Sequence, residues 1–239
     1  MRIATYNIWN TDYLWVDRLQ GICEEIYRIK PDIIALQEVR AVLDDQAGLN
    51  AAAYIAKKSE FQHSIFRAYP HDNNEGLAIL SQLPIYSAEA GWDNSENRVD
   101  CGIRIVINAN NARIAVTNVH VHCNPTHFIT REYQVTTLID WISSRQQAGV
   151  QEFLCGDFNC SPDSSIHRFL VGQQSLHGRS TYWFDLAAYY AHRSGSTALP
   201  TLDFDRNPRW ENQHTLEIPA RFDWIMLRDC YPDPYPYVD

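Results

Sequence analysis

No stretch of this 239-residue chain approaches the run of about 20 apolar residues that a membrane-spanning helix needs. Met1-Arg2 also leads at once into Ile3-Ala4-Thr5-Tyr6, without the apolar segment of a signal peptide. Stable membrane insertion is therefore not expected, and a cytoplasmic location is. Cys-x-x-Cys pairs are missing as well: cysteines 23, 101, 123, 155, 160 and 230 stand apart, which gives little support to a zinc cluster and leaves reduced thiols as the simplest account. Basic residues are scarce. Twenty Lys and Arg against 29 Asp and Glu give a formal charge of −9, which argues against avid nonspecific binding to nucleic acid, because that affinity comes from cations neutralising phosphates. A group of acidic metal ligands would add to the same total, and a bound cation would reverse the field locally. Low-complexity runs and repeats of fixed period are absent too, so the reading is one folded domain over residues 1–239, expected to be monomeric, with disorder only at its ends.

What is present is a mixture of strand and helix signals. Residues 3–8 alternate and are rich in β-branched and aromatic side chains, then Asn10-Thr11-Asp12 breaks the run. Trp15, Leu19, Ile22, Cys23, Ile26 and Ile29 recur at helical spacing, and Lys30-Pro31 ends that helix before the apolar strand Ile33-Ile34-Ala35-Leu36. The pattern predicts a helix over 47–58, strands near 61–67, 76–81, 84–90, 101–108 and 113–119, a helix over 127–148, a strand at 151–155, a helix after Asp163 and a strand at 221–227. An irregular stretch is predicted from about 193 to 220. Neighbouring strands interspersed with helices fit two packed sheets flanked by helices.

Polar residues recur at the ends of these apolar strands, which is where α/β proteins tend to keep chemistry. Asn7, Glu38 and His120 each close a strand, and Gly156-Asp157-Phe158-Asn159 follows the strand that contains Phe153-Leu154-Cys155. Asp157 and Asn159, two apart on an extended backbone, share a face and offer oxygen ligands plus an amide donor, which suits a hydrated divalent cation and a phosphate. The same tetrapeptide also suits a strand followed by an Asx-type turn. Glu38 alone reads first as solvating a strand end, Asn7 also suits a turn, and His120 equally packs at a strand end. Asp223, inside Arg221-Phe222-Asp223-Trp224-Ile225, is a carboxylate in an apolar strand and needs a partner, for which a histidine or a metal site is the natural supplier.

Taken in order, Thr5-Tyr6-Asn7-Ile8, Leu36-Gln37-Glu38-Val39, Gly76-Leu77-Ala78-Ile79-Leu80-Ser81, Asn118-Val119-His120-Val121, Gly156-Asp157-Phe158-Asn159 and Arg221-Phe222-Asp223-Trp224-Ile225 resemble the endonuclease/exonuclease/phosphatase superfamily over nearly the whole chain. The resemblance implies a DNase I-like four-layered α/β sandwich, with two packed mixed β-sheets flanked by helices. It also implies Mg²⁺-dependent hydrolysis of a phosphoester, with Mn²⁺ as a substitute, by metal-assisted attack of water on phosphorus. By the same resemblance Glu38 is the principal metal ligand, with Asn7 beside it orienting phosphate or water. His120 binds the scissile phosphate, Asp157 positions or deprotonates the attacking water, Asn159 holds Asp157 or a phosphate oxygen, and Asp223 orients a catalytic histidine. Arg98, before the strand at 101–108, is in reach of a phosphate or is a solvated loop residue. The implied substrate is a phosphoester in nucleic acid, phospholipid or a small diester.

The chain departs from the family pattern in one respect. The closing Ser-Asp-His motif is not found before Asp239, so the domain is expected to lack the strand that carries it, with His214, His122 and His127 as substitutes to consider. A catalytically impaired phosphate- or nucleic-acid-binding module of the same fold is the alternative. The inositol-phosphatase pattern is absent, since Leu154-Cys155 precede Gly156 and Arg221-Phe222 precede Asp223, whereas Asn118-Val119-His120 with Arg131-Glu132-Tyr133-Gln134 lies nearer to the tyrosyl-DNA phosphodiesterase and sphingomyelinase branches. Tyr182-Trp183-Phe184 and Trp210 are read as core packing, or else as an aromatic wall for a base or an organic leaving group.

Overall fold

Period-two alternation in the strands buries one row of branched side chains between two sheets. The computed structural model describes residues 1–43, 48–70, 72–91, 102–109, 112–211, 215–231 and 235. In it, β1 (Ile3–Asn7), β2 (Ile33–Arg40), β3 (His63–Tyr69) and β4 (Asp72–Ser81) form a sheet in the order β1-β2-β4-β3. A second sheet contains β5 (Ile85–Gly91), β6 (Gly102–Ala109), β7 (Ala112–His120), β8 (Val150–Asp157), β9 (Trp183–Asp185) and β10 (Asp223–Arg228), in the order β5-β6-β7-β8-β10-β9. Ile33, Ala35, Leu77 and Ile79 of the first sheet meet Ile103, Ile105, Val116 and Phe153 of the second, and each such side chain removed from water contributes roughly 1.5–3 kcal/mol before entropy is counted.

Helices cover the outer faces. Leu19, Ile22 and Ile26 of α1 (Trp15–Ile29) and Ile55 of α2 (Ala51–Lys58) pack on Ile34, Leu36, Ala78 and Leu80 of the first sheet. On the second sheet, Val135, Ile139 and Ile142 of α3 (Phe128–Ser143) and Ile166 and Phe169 of α4 (Ser165–Leu170) pack on Leu154, Trp224 and Met226. The result is the four-layered α/β sandwich, with both sheets mixed: β1–β2 and β7–β8 are parallel pairs and the remaining pairings are antiparallel.

Several boundaries differ from the sequence reading, each for a local reason. The second helix begins at Ala51, not 47, because the Asn50 side chain caps it by accepting from the Ala53 N–H at 2.8 Å. The third helix ends at Ser143, not 148, because the Ser144 hydroxyl and the Arg145 guanidinium both donate to the Trp141 carbonyl and the chain then turns through Gly149 at φ 73°. The region read as irregular from 193 hides the end of α5 (Leu186–Ser194), capped by Asp185, whose side chain accepts from the Ala188 N–H. The three-residue strand β9 was too short to carry a period.

The two sheets are fastened together at the end that carries the polar residues. Asn118 of β7 is fully buried; its amide donates to the carbonyls of Leu36 (2.8 Å) and Ala78 (2.9 Å) in the opposite sheet and accepts from Gln37 Nε2 at 2.7 Å. Gly156, at φ 142°, lets β8 approach β7 so closely that a Cβ there would lie 1.9 Å from the Val119 carbonyl oxygen.

Candidate active site

The parallel pairings bring the ends of β1, β2, β7 and β8 to one edge of the sandwich. Asn7 is in register with Gln37, His120 with Asp157, and Asp157 with Asp223. Glu38 leaves its strand by an irregularity: the β2–β4 pairing shifts between Leu36 and Val39, and Glu38 sits at φ 53°. A non-glycine residue held there is strained by about 1–3 kcal/mol, and its carboxylate accepts from Asn7 of the neighbouring strand and from the Asn10 N–H.

Asn7 organises the centre. Its Nδ2 donates both to Glu38 Oε1 (2.8 Å) and to Asp157 Oδ2 (2.9 Å), while its Oδ1 accepts from the Trp9 N–H at 2.9 Å. In this arrangement Asn7 is a donor that yokes two carboxylates across the sheets. Glu38 Oε2 also accepts from the Asn10 N–H at 3.2 Å. His120 Nε2 lies 3.9 Å from Glu38 Oε1 and 4.0 Å from Asp157 Oδ2, out of solvent contact and without a hydrogen-bond partner among the described residues. Its Nδ1 is 2.7 Å from the Tyr69 hydroxyl. With Tyr69 donating, Nε2 carries the ring proton on the side of the Glu38 and Asp157 carboxylates.

Asn159 supports Asp157: its N–H donates to Asp157 Oδ1 at 2.8 Å, and its side chain donates to the Val121 carbonyl at 2.9 Å. Asn159 is itself at φ 46°, a left-handed turn that this residue type tolerates. Asp223 stands opposite Asp157 at the start of β10. The Thr201 hydroxyl accepts from its N–H at 3.1 Å, and Asp223 Oδ1 is enclosed without a partner among the described residues although the residue as a whole is only half-buried. Burial, followed by the charge of Asp157, pushes the Asp223 carboxyl up to about 7. Burial and then the charge of Glu38 do the same to Glu75 of β4, also to about 7.

Asn7, Glu38, His120, Asp157, Asn159 and Asp223 are thus brought together. Asn7, Glu38, Asp157, Asn159 and Asp223 line one cavity of about 1510 Å³ that continues along the open edge of β1. Arg98 and His214 lie outside the described residues. His122 and His127 stack on each other at 4.4 Å after β7. No described histidine hydrogen-bonds to Asp223. Among the described residues His167 hydrogen-bonds to an aspartate, 2.8 Å from Asp185; burial raises the Asp185 carboxyl, but the bonds from His167 and Arg221 outweigh it and hold it at about 2. Tyr69, Glu75, Gln37 and Thr201 went unnoticed in the sequence; Tyr69 and Gln37 carry the same signal as the residues found, a polar group at a strand end. Trp183 is buried in the core, as its packing reading required, whereas Trp210 lines the cavity.

Among the described residues no three His, Cys, Asp or Glu side chains converge as a ready metal cluster; Glu38 would supply one hard oxygen ligand, and the acids Glu75 and Asp223, raised by burial and then by the charges of Glu38 and Asp157, leave negative charge that a cation would relieve. Known proteins agree with this architecture. The chain is 28% identical over 182 residues to carbon catabolite repressor protein 4 homolog 3 of Arabidopsis thaliana, covering 71% of this chain and 38% of that protein. It is 24% identical over 194 residues to a putative neutral sphingomyelinase of Drosophila melanogaster, covering 72% and 42%. This chain therefore spans about two fifths of the length of these relatives. A humanized D. rerio TDP2 superposes with a TM-score of 0.72 at 14% identity, covering 98% of this chain and 85% of that one, which shows a shared fold. Because the model of the Endonuclease/Exonuclease/phosphatase family, whose enzymes generally use divalent metals, matches residues 4–234, this chain belongs to that family.

Proposed function

We propose that this domain is a Mg²⁺-dependent hydrolase that cleaves a phosphoester by attack of water on phosphorus. The observation that carries the reading is the yoke at Asn7, which holds Glu38 and Asp157 together beside a Tyr69-oriented His120 whose Nε2 has no hydrogen-bond partner among the described residues. A cation held by Glu38 would supply charge neutralisation at the phosphoryl oxygens. His120 Nε2–H donates to a nonbridging oxygen of the scissile phosphate, where negative charge grows. Asp157 Oδ2 accepts the proton of the attacking water, and Asn159, through its N–H on Oδ1, keeps the carboxylate turned toward it. Asp223, whose Oδ1 has no hydrogen-bond partner among the described residues, is the acceptor on which a catalytic histidine would rest.

Absence of a described histidine on Asp223 favours one second reading, a phosphate-binding module that does not turn over. Hydrolysis of bis(p-nitrophenyl) phosphate with Mg²⁺ or with EDTA, in wild type, Glu38→Ala and Asp157→Asn, decides between them. We expect Mg²⁺-dependent turnover that falls by about 10²–10⁴-fold in each variant. Metal-dependent binding of a nonhydrolysable diester without turnover favours the module, and full activity in both variants removes the proposed mechanism.

A further inference from the structure

Two polar side chains of α3, Arg131 and Gln134, are buried three positions apart on one face of the helix, and both reach the loop that leaves β7 after His120. Arg131 Nη1 donates to the carbonyls of His122 (3.1 Å) and Asn124 (2.6 Å), and Nη2 donates to that of Pro125 (3.3 Å). Burying a guanidinium is costly unless it is hydrogen-bonded, so the arginine and the loop constrain each other. Gln134 takes hold one step closer to the site: its Oε1 accepts from the His122 N–H at 2.9 Å.

The other end of that peptide unit belongs to the candidate active site. Its oxygen, the Val121 carbonyl, accepts from Asn159 Nδ2 at 2.9 Å, and the Val121 N–H donates to the Asp157 carbonyl at 3.0 Å. The plane between Val121 and His122 is thus gripped from two sides, by Gln134 on its N–H and by Asn159 on its oxygen. Because a peptide is planar, turning one end turns the other. Asn159, at φ 46°, is also the residue whose N–H holds Asp157 Oδ1.

We infer that Gln134 is a positioning residue for the attack of water: it fixes the Val121–His122 peptide, the peptide fixes the Asn159 side chain, and Asn159 fixes the Asp157 carboxylate. Arg131 holds the rest of the loop in place for it. The inference rests on the hydrolase reading above. Gln134 is not among the residues that line the cavity, so its influence falls on turnover and not on binding of the diester. A carboxylate displaced by about 1 Å from the water it positions costs roughly 10²-fold in rate. Loop packing alone would lower stability and leave both Asn159 and kcat as they are.

Gln134→Met, near in size but without the acceptor oxygen, and Gln134→Glu, which keeps one, test this on bis(p-nitrophenyl) phosphate with Mg²⁺. Gln134→Met is expected to lower kcat by about 10–100-fold with KM unchanged, and Gln134→Glu to restore most of it. In a double-mutant cycle Gln134→Met should add little to Asn159→Ala, because both act on one carboxylate. Nuclear magnetic resonance of the Asn159 side-chain amide reads the same link without catalysis: its signals shift and its protons exchange faster in Gln134→Met, and return in Gln134→Glu. Unchanged Asn159 signals, an unchanged kcat, or losses that multiply in the double variant overturn the inference and leave the hydrolase standing. A wild type without turnover removes the hydrolase, and the amide signals then decide alone: a shift keeps the clamp and none overturns it. Should Gln134→Met not fold, Arg131→Lys, which keeps the charge and gives up the grip of two nitrogens on three carbonyls, is judged by the same signals.

Discussion

Asp223 shows how much a single side chain reveals about the site. Its carboxyl faces Asp157 in register and is raised to about 7 by burial and then by that neighbouring charge. An acid whose folded value lies above its unfolded value near 3.9 contributes stability that is complete below that value and is lost as pH rises through the folded one. Melting temperature in EDTA should therefore decline between pH 5 and pH 8 in wild type and decline less in Asp223→Asn. A parallel decline in both proteins would show that the pair is not a strained carboxyl couple. The sequence marked this residue as needing a partner, a histidine or a metal site, because a carboxylate in an apolar strand is costly. The described residue beside it is Thr201, whose hydroxyl accepts from the Asp223 N–H; it lies 22 residues away in the chain, which no local pattern announces.

At the level of elements, strands with strong alternation were legible and their ends were not. β7 and β8 read directly from their apolar runs, whereas β9 has three residues and α3 stops early because side chains cap its last carbonyls. Fastening between the sheets was invisible in sequence, since Asn118 looks like any polar residue within a strand until its partners are seen. Replacing it by Leu would remove the donor to the carbonyls of Leu36 and Ala78 and the acceptor of one Gln37 N–H, at about 1–3 kcal/mol for each buried group left unpaired, while Gln37 keeps its bond to the Thr5 hydroxyl. Urea unfolding of Asn118→Leu should show a loss of at least about 3 kcal/mol, and a loss below about 1 kcal/mol would mean that the sheets are registered by their apolar core alone.

Across the whole molecule, the order of the short motifs carried more information than any residue in them. Each of Asn7, Glu38, His120 and Asp157 was ambiguous alone, and their meeting depends on parallel pairing β1–β2 and β7–β8, which aligns strand ends from distant parts of the chain. The contact of Arg209 with Trp9 is not legible in the sequence, because the two residues are 200 positions apart. The central claim is that water, positioned by Asp157, attacks phosphorus directly. A single turnover of a phosphodiester in H₂¹⁸O, with enzyme in excess and Mg²⁺ present, tests it by mass spectrometry of the products. The account predicts one ¹⁸O in the product phosphate of the first turnover and none in the released alcohol. Label in the alcohol, or an unlabelled phosphate with ¹⁸O later found in a carboxylate of the protein, would contradict it.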